Sequence, residues 1–556
     1  MLKKLTKFLS LIMAVFMVFT ASACFGNSGS SDPNKLDIYL LYKGYGDAWL
    51  TPLIDEFVKQ DWVKDKYPGI KRSDISYSNN DDDAHQYNKL GAGASINSYD
   101  LMFGVNLQGR ESTGQLADLT DLVYLAEVPG EAGVKVKDKI PERVLARVRN
   151  ATAKERADGE DTYNVVSYID GMFGMMYNHT LLVDNLGLEI PLTTEQFKSV
   201  GNSIKNTGYK NTLNETSKEV IMNRAGDNYW NSSYSIWWAQ YEGIQAVEDY
   251  YEGYDRGNEI SGSRSVLFQE GRLESLTVVQ DILNNYSYSS ALTVLDYKRA
   301  QTLYLQGRGI FHFNGDYFAS EMAAQMANCT YDIRFMKMPV ISSIAERCSF
   351  YTDGETEYNS LSADKKLAYD QKLQIIIKDV DSDLPYSQSN AKTQGISKTD
   401  FDIVAEARCI GGYAGASGQA VVIPSYSPAK KLAADFLRFM YTEEAIRTFT
   451  KASKGIVLPS TYDISADQEV MSVVDPISKS KIDLLKGTEN YQFIRIPAPA
   501  QTTLGKAGLG PIFYEGYFEN VFHPEYGVKK TAKEIYDGDL DHWNQTTWEQ
   551  LVRDSN

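Results

Sequence analysis

The chain is poor in the residues that carry covalent and metal chemistry. It has four cysteines and five histidines in 556 residues. No Cys-x-x-Cys occurs, so neither a cysteine zinc site nor a thioredoxin-like redox motif is supported. There is no His-Glu-x-x-His and no Gly-x-Ser-x-Gly, and the histidines show no metal-ligand spacing. No cofactor and no metal is expected, and the chain is not expected to be an enzyme. Only a glycosidase-type pair of carboxylates, whose members need not be neighbours in sequence, stays open. Positive charge is scarce: 56 Lys and Arg against 73 Asp and Glu give a net charge of -17. Such a surface repels nucleic acid and anionic lipid headgroups. Past residue 24 no apolar run is long enough to span a bilayer.

The N-terminus supplies what the body lacks. Lys3, Lys4 and Lys7 precede an apolar run from Leu9 to Phe19, followed by Thr20-Ala-Ser-Ala-Cys24. Residues 1–23 read as a secretory signal, too short for a permanent anchor. Ala-Ser-Ala-Cys resembles a bacterial lipobox, with Ala21 where Leu is usual. Cys24 is thus the expected lipidation site, although Ala21-Ser-Ala23 would also serve as an ordinary cleavage site. Residues 24–34 read as a flexible tether. The protein is expected on the extracellular face of the cell membrane, held by lipid on Cys24, and as a monomer. Cys329, Cys348 and Cys409 remain, and either one disulfide or three free thiols is compatible with that number.

Beyond the tether, strand and helix patterns alternate. Leu36 to Tyr42, Ile75 to Tyr77 and Tyr99 to Phe103 read as strands. Helical spacing falls between them, over Asp47 to Lys66 and Ala84 to Ala94. This order predicts a parallel α/β sheet with right-handed crossovers. Ligands sit beyond the carboxyl ends of such strands. Tyr45, Asp47, Asp82, Asp83 and Asn106 lie in those loops and are candidate ligand residues.

Farther on, the strand pattern Ile310 to Phe313 runs into Asn314-Gly-Asp-Tyr317. Asn-Gly favours a turn, and it groups an amide, a carboxylate and an aromatic ring at one strand end. Asn314, Asp316 and Tyr317 are therefore candidates for holding a sugar. Trp230, Tyr234, Trp237 and Tyr241 fall on one helical face. That stripe reads mainly as core, with Trp230 near the helix start as a stacking candidate. In Gly411-Gly-Tyr-Ala-Gly-Ala-Ser-Gly418 the phosphate-loop ending Gly-Lys-Ser/Thr is missing. The glycines there suit close backbone approach, and Tyr413 is a candidate site residue. Asp379-x-Asp381-x-Asp383 has Leu384 and Asn390 where a calcium loop needs Gly and Glu. Thr193 is an expected helix N-cap, with Gln196 completing a capping box.

The motifs come in an order that resembles the carbohydrate-type extracellular solute-binding proteins of ABC importers. Gly114-Gln-Leu-Ala-Asp-Leu-Thr-Asp-Leu122 is similar to the family's stretch after its third strand. Gly171-Met-Phe-Gly-Met-Met-Tyr-Asn178, Gly187 to Phe197, Tyr304 to Phe311 with Asn314 to Tyr317, Val421-Val-Ile-Pro424 and Gly455 to Ser460 resemble later family segments. Thr194 and Tyr317 stand where the family often has Trp. The resemblance implies an α/β, two-lobed periplasmic-binding-protein-like fold with three interlobe crossings and a cleft between lobes. It places the crossings near Val166 to Asp170, Tyr331 to Val340 and Met440 to Glu444. One lobe would hold 35–167 plus 338–440, with an insertion over about 343–405. The other would hold 168–337 plus 441–556. It implies capture of a carbohydrate, an oligosaccharide first, by lobe closure, and delivery to the permease subunits of an ABC transporter. A peptide or other polar solute, or a surface glycan-degrading activity, are the alternatives.

Overall fold

The computed structural model describes residues 32–42, 44–80, 82–94, 96–105, 107–150, 153–223, 229–253, 263–288, 297–354, 356–413, 419–485, 492–494 and 530–555. The signal, Cys24, most of the tether and Asn106 lie outside the described residues, as do the side chains of Asp83 and Tyr413. No helix among the described residues is long and apolar enough to cross a membrane.

The strands are β1 (Leu36–Leu41), β2 (Ile75–Asn80), β3 (Leu101–Val105), β4 (Val166–Ser167), β5 (Phe173–Asn178), β6 (Tyr209–Lys210), β7 (Thr216–Ser217), β8 (Phe311–Gly315), β9 (Ile333–Met336), β10 (Ile410–Tyr413), β11 (Gln419–Val422) and β12 (Gln492–Ile494). They fall into two compact units. Unit 1 ends its first stretch at Asp170 and takes up Gly418–Ser453 and Val457–Tyr462. Unit 2 holds Gly171–Ser417, Lys454–Ile456 and Asp463 onward.

Unit 1 is built on a sheet of order β2-β1-β3-β11-β4. β1 is parallel to β2 and to β3, as the alternating pattern predicts. β11 runs antiparallel between β3 and β4. β1 is buried except for Asp37, the signature of a strand covered on both faces. The helical pattern over 47–66 divides into Leu50–Phe57 and Asp61–Lys66. The first buries Leu50, Leu53, Ile54 and Phe57.

Unit 2 carries the sheet β12-β10-β5-β8, with β9 also on β5. The helix Thr194–Thr207 starts as expected: Thr193 accepts the Gln196 N–H at 3.1 Å. The Gln196 side chain reaches one residue farther than a standard capping box, accepting from the Leu192 N–H at 2.7 Å. The helix Tyr229–Glu242 is buried on nearly every described face. Its indoles are tied inward: Trp237 Nε1 donates to the Pro339 carbonyl and Trp238 Nε1 to Gln269.

The expected lobe boundaries need correction. Residues 338–417 belong to unit 2, and 441–453 with 457–462 belong to unit 1. The physical reason is core sharing. Ile344, Tyr358, Leu373, Ile377 and Val404, from the supposed insertion, pack in one cluster with Phe197 and Trp237. Polar groups follow: Ser342 donates to Asp370 at 3.0 Å, and Asn359 donates to Glu274 at 2.7 Å. Burial raises the Glu274 carboxyl to about 7. The acidic run is absorbed too. Asp379 accepts from Asn390 Nδ2 and the Ala391 N–H, and Asp381 pairs with Arg408 and Lys337. Cys329, Cys348 and Cys409 are free thiols, and burial pushes Cys348 up to about 12.

Candidate functional site

In unit 1 the chain goes from β1 outward to β2, then back across β1 to β3. The order β2-β1-β3 puts a topological switch between β1 and β3, where open α/β sheets leave a crevice at the carboxyl ends. Tyr42 is the first residue past β1. It is 36% exposed, and its N–H donates to the Asn80 carbonyl at 3.2 Å. Asn79, at the end of β2, donates its amide to Asp47 Oδ2 at 2.6 Å. Asp82 is exposed and caps the helix Asp83–Gly91, accepting the Ala84 N–H at 2.9 Å. Tyr45, by contrast, is buried at 6% exposure, so its ring belongs to the wall and not to an open contact surface.

The end of β3 is closed by a side chain. Gln86 Nε2 donates to the Val105 carbonyl at 2.9 Å, and Gln86 Oε1 accepts the Val105 N–H at 3.0 Å. The amide thus stands in for a strand neighbour. A Cβ at Gly104 would strike it, which explains the glycine in an otherwise bulky strand. Tyr87 OH also donates to the Val105 carbonyl, at 3.1 Å, and the Arg110 guanidinium lies 4.9 Å from the Tyr87 ring.

In unit 2 the end of β8 is built differently. The Asn223 amide brackets Phe313, donating to its carbonyl at 2.9 Å and accepting its N–H at 2.7 Å. His312 is fully buried, with Nδ1 2.7 Å from the Met222 carbonyl. A carbonyl only accepts, so Nδ1 carries the proton and Nε2 accepts from Asn314 Nδ2 at 3.0 Å. Burial holds the imidazole down to about 3, hence neutral. Asn314 completes the chain by accepting the Gly315 N–H at 2.7 Å. Asp316 accepts from Lys481 Nζ at 2.5 Å, a pair in which neither side chain is more than 3% exposed. Lys481 comes from the helix Pro476–Leu485, which packs on β9, where Ser480 accepts the Phe335 N–H.

Three sugar-binding expectations are therefore corrected. Asn314 is an internal brace, Asp316 is half of a buried ion pair, and Trp230 has no exposed surface. Trp230 instead packs edge-on to Phe313 at 5.0 Å. Tyr317 stays partly exposed, and its ring meets Phe173 edge-to-face at 5.6 Å. Phe173 stands opposite Gly315 on one side and the backbone of Tyr413 on the other, so Phe173 and Tyr317 mark one end of this sheet. Asn79 lies in the expected rim loop 79–83, whereas Tyr42, Gln86, Arg110, Phe173 and Lys481 were not among the site residues expected from the sequence. Only Phe173 had a local signal, the aromatic residue that opens the strand pattern Gly171 to Asn178.

Two solved structures align with nearly the whole chain. A chitin oligosaccharide binding protein shares 17% identity at a TM-score of 0.52, over 94% of this chain and all of its own. The bacterial solute receptor AcbH, described with an exclusive substrate preference for β-D-galactopyranose, shares 12% identity at 0.53, over 94% and 99%. The fold is that of the two-lobed periplasmic binding proteins. No family model matches the chain, and no curated protein does.

Proposed function

We propose that the protein is a carbohydrate receptor of an ABC importer, one that captures an oligosaccharide and presents it to the permease. The observation that carries this reading is the carboxyl end of the β2-β1-β3 sheet of unit 1, whose loops carry an amide–carboxylate pair beside β2, an exposed tyrosine after β1 and a guanidinium after β3. Sugars ask for that mixture: fixed donors and acceptors for hydroxyls, and aromatic faces for C–H groups. The partly exposed Phe173 and Tyr317 pair offers the same chemistry in unit 2. The two solute-binding structures of like fold both take sugars by their descriptions, which agrees with the motif order. Ala-Ser-Ala-Cys24 supports a lipid tether at the extracellular membrane face. The work is binding, not catalysis.

The test is thermal unfolding of residues 25–556 against a panel of mono- and oligosaccharides. A ligand of the folded state adds about 2.7 kcal/mol at a hundredfold excess over Kd. One sugar class should raise the midpoint without product formation. A shift with peptides alone would replace the carbohydrate reading.

A further inference from the structure

Arg110 differs from the other described arginines of unit 1, each of which has an ion pair or a hydrogen bond. It lies in the 3-10 turn Leu107–Thr113, directly after β3. Among the described residues it makes no ion pair and its guanidinium donates no hydrogen bond. Its one contact of that kind is the Tyr87 ring at 4.9 Å. Tyr87 is itself fixed to the last carbonyl of β3. The guanidinium thereby lies over a ring whose hydroxyl is bonded to the carboxyl end of β3. A stacked guanidinium keeps its in-plane N–H groups available, and their fork matches a carboxylate. Neither Asp47, which accepts from Asn79, nor Asp82, which accepts the Ala84 N–H, forms an ion pair with it. In a chain of net charge -17, an arginine with no ion pair among the described residues, placed after β3, is a selective device. A neutral sugar would leave that charge unmatched as the site dried.

We propose that Arg110 contacts ligand, and that the carbohydrate carries an anionic group, the carboxylate of a uronic acid. This rests on the carbohydrate reading above. The carboxylate lies in the Arg110 fork while hydroxyls take the neighbouring amide and carboxylate groups.

The experiment is calorimetric titration of the wild-type protein, Arg110→Ala and Arg110→Lys. The probes are oligogalacturonates, the same oligosaccharides with carboxylates reduced to alcohols, and a sulfated disaccharide. The wild-type protein should prefer the carboxylate form by about 10- to 100-fold, the range of a charge-assisted contact. That preference should collapse to about twofold in Arg110→Ala and fall partway in Arg110→Lys, which keeps the charge and loses the fork. Higher salt should weaken only the charged probe. An unchanged thermal midpoint shows that the variants fold. An Arg110-dependent preference for the sulfated sugar would keep the anion site and overturn its assignment to uronate. Equal binding of the oligogalacturonates and their reduced forms by the wild-type protein would overturn the acidic ligand and leave the carbohydrate reading intact. No binding of any sugar would overturn both.

Discussion

Two strand ends, β3 in unit 1 and β8 in unit 2, start alike and finish differently. Each has its backbone bracketed by a side-chain amide, Gln86 on Val105 and Asn223 on Phe313. At the strand ends of unit 1 the described polar groups Asp47, Asn79 and Asp82 are exposed or half-buried. Beyond β8 the polar groups are buried and locked: His312 to Asn314, and Asp316 to Lys481. Identical residue types at a strand end therefore do opposite work. An Asp in an open loop is available to a ligand, whereas one opposite a buried lysine holds its own fold together.

The contrast breaks most sharply at Lys481. Lys481→Met strands the Asp316 carboxylate without its cation. Removing one partner of a buried pair costs about 3–5 kcal/mol. Denaturant unfolding should show that loss, and the double variant Lys481→Met/Asp316→Leu should recover most of it. If Lys481→Met is neutral, the end of β8 is as open as that of β3.

A smaller effect comes from pH, through two buried groups of unit 2. Glu274 titrates at about 7 in the fold against an ordinary 4.5, so the fold holds the extra proton. Its stabilisation is complete below pH 4.5 and is lost as pH rises through 7. His312 has the opposite sense. At about 3 against 6.5, it favours the fold above pH 6.5 and loses that contribution as pH falls. Between pH 4.5 and 6.5 the two slopes oppose. Relative to wild type, Glu274→Gln should make stability climb more steeply with pH in that window, and His312→Asn should make it fall. Denaturation midpoints across the window read both slopes, and parallel profiles in all three proteins would refute the assignment.

The smallest change in stability belongs to the exposed rim. Asn79→Ala removes the donor to Asp47 at the surface and should cost less than about 1 kcal/mol. Sugar affinity should nevertheless fall, because Asp47 loses the contact that orients it. Calorimetry beside a melting curve separates the two readouts. A large drop in midpoint with unchanged affinity would make this pair structural, like its counterparts in unit 2.

Much of unit 1 was legible in the sequence because its signals are local. The apolar strands, the helical spacing between them and the loops at their ends all lie within a few residues of one another. The Thr193 cap was legible for the same reason. Asp316 and Lys481 were not, since they meet across 165 positions and nothing near either names the other. Trp230 was misread because an aromatic stripe looks the same on a platform and in a core. Only Phe313, on a distant strand, decides between them. The stretch 343–405 looked polar enough to be an insertion. Its apolar residues are spaced along helices and 3-10 turns, and they complete a core that begins near Leu181.

β11 lies between β3 and β4, yet it is made only after the whole stretch of unit 2 from Gly171 to Ser417. During synthesis the edge of β3 therefore waits without its partner through most of the chain. A ribosome that stalls before residue 419 releases a sheet with an open apolar edge, which is a template for aggregation.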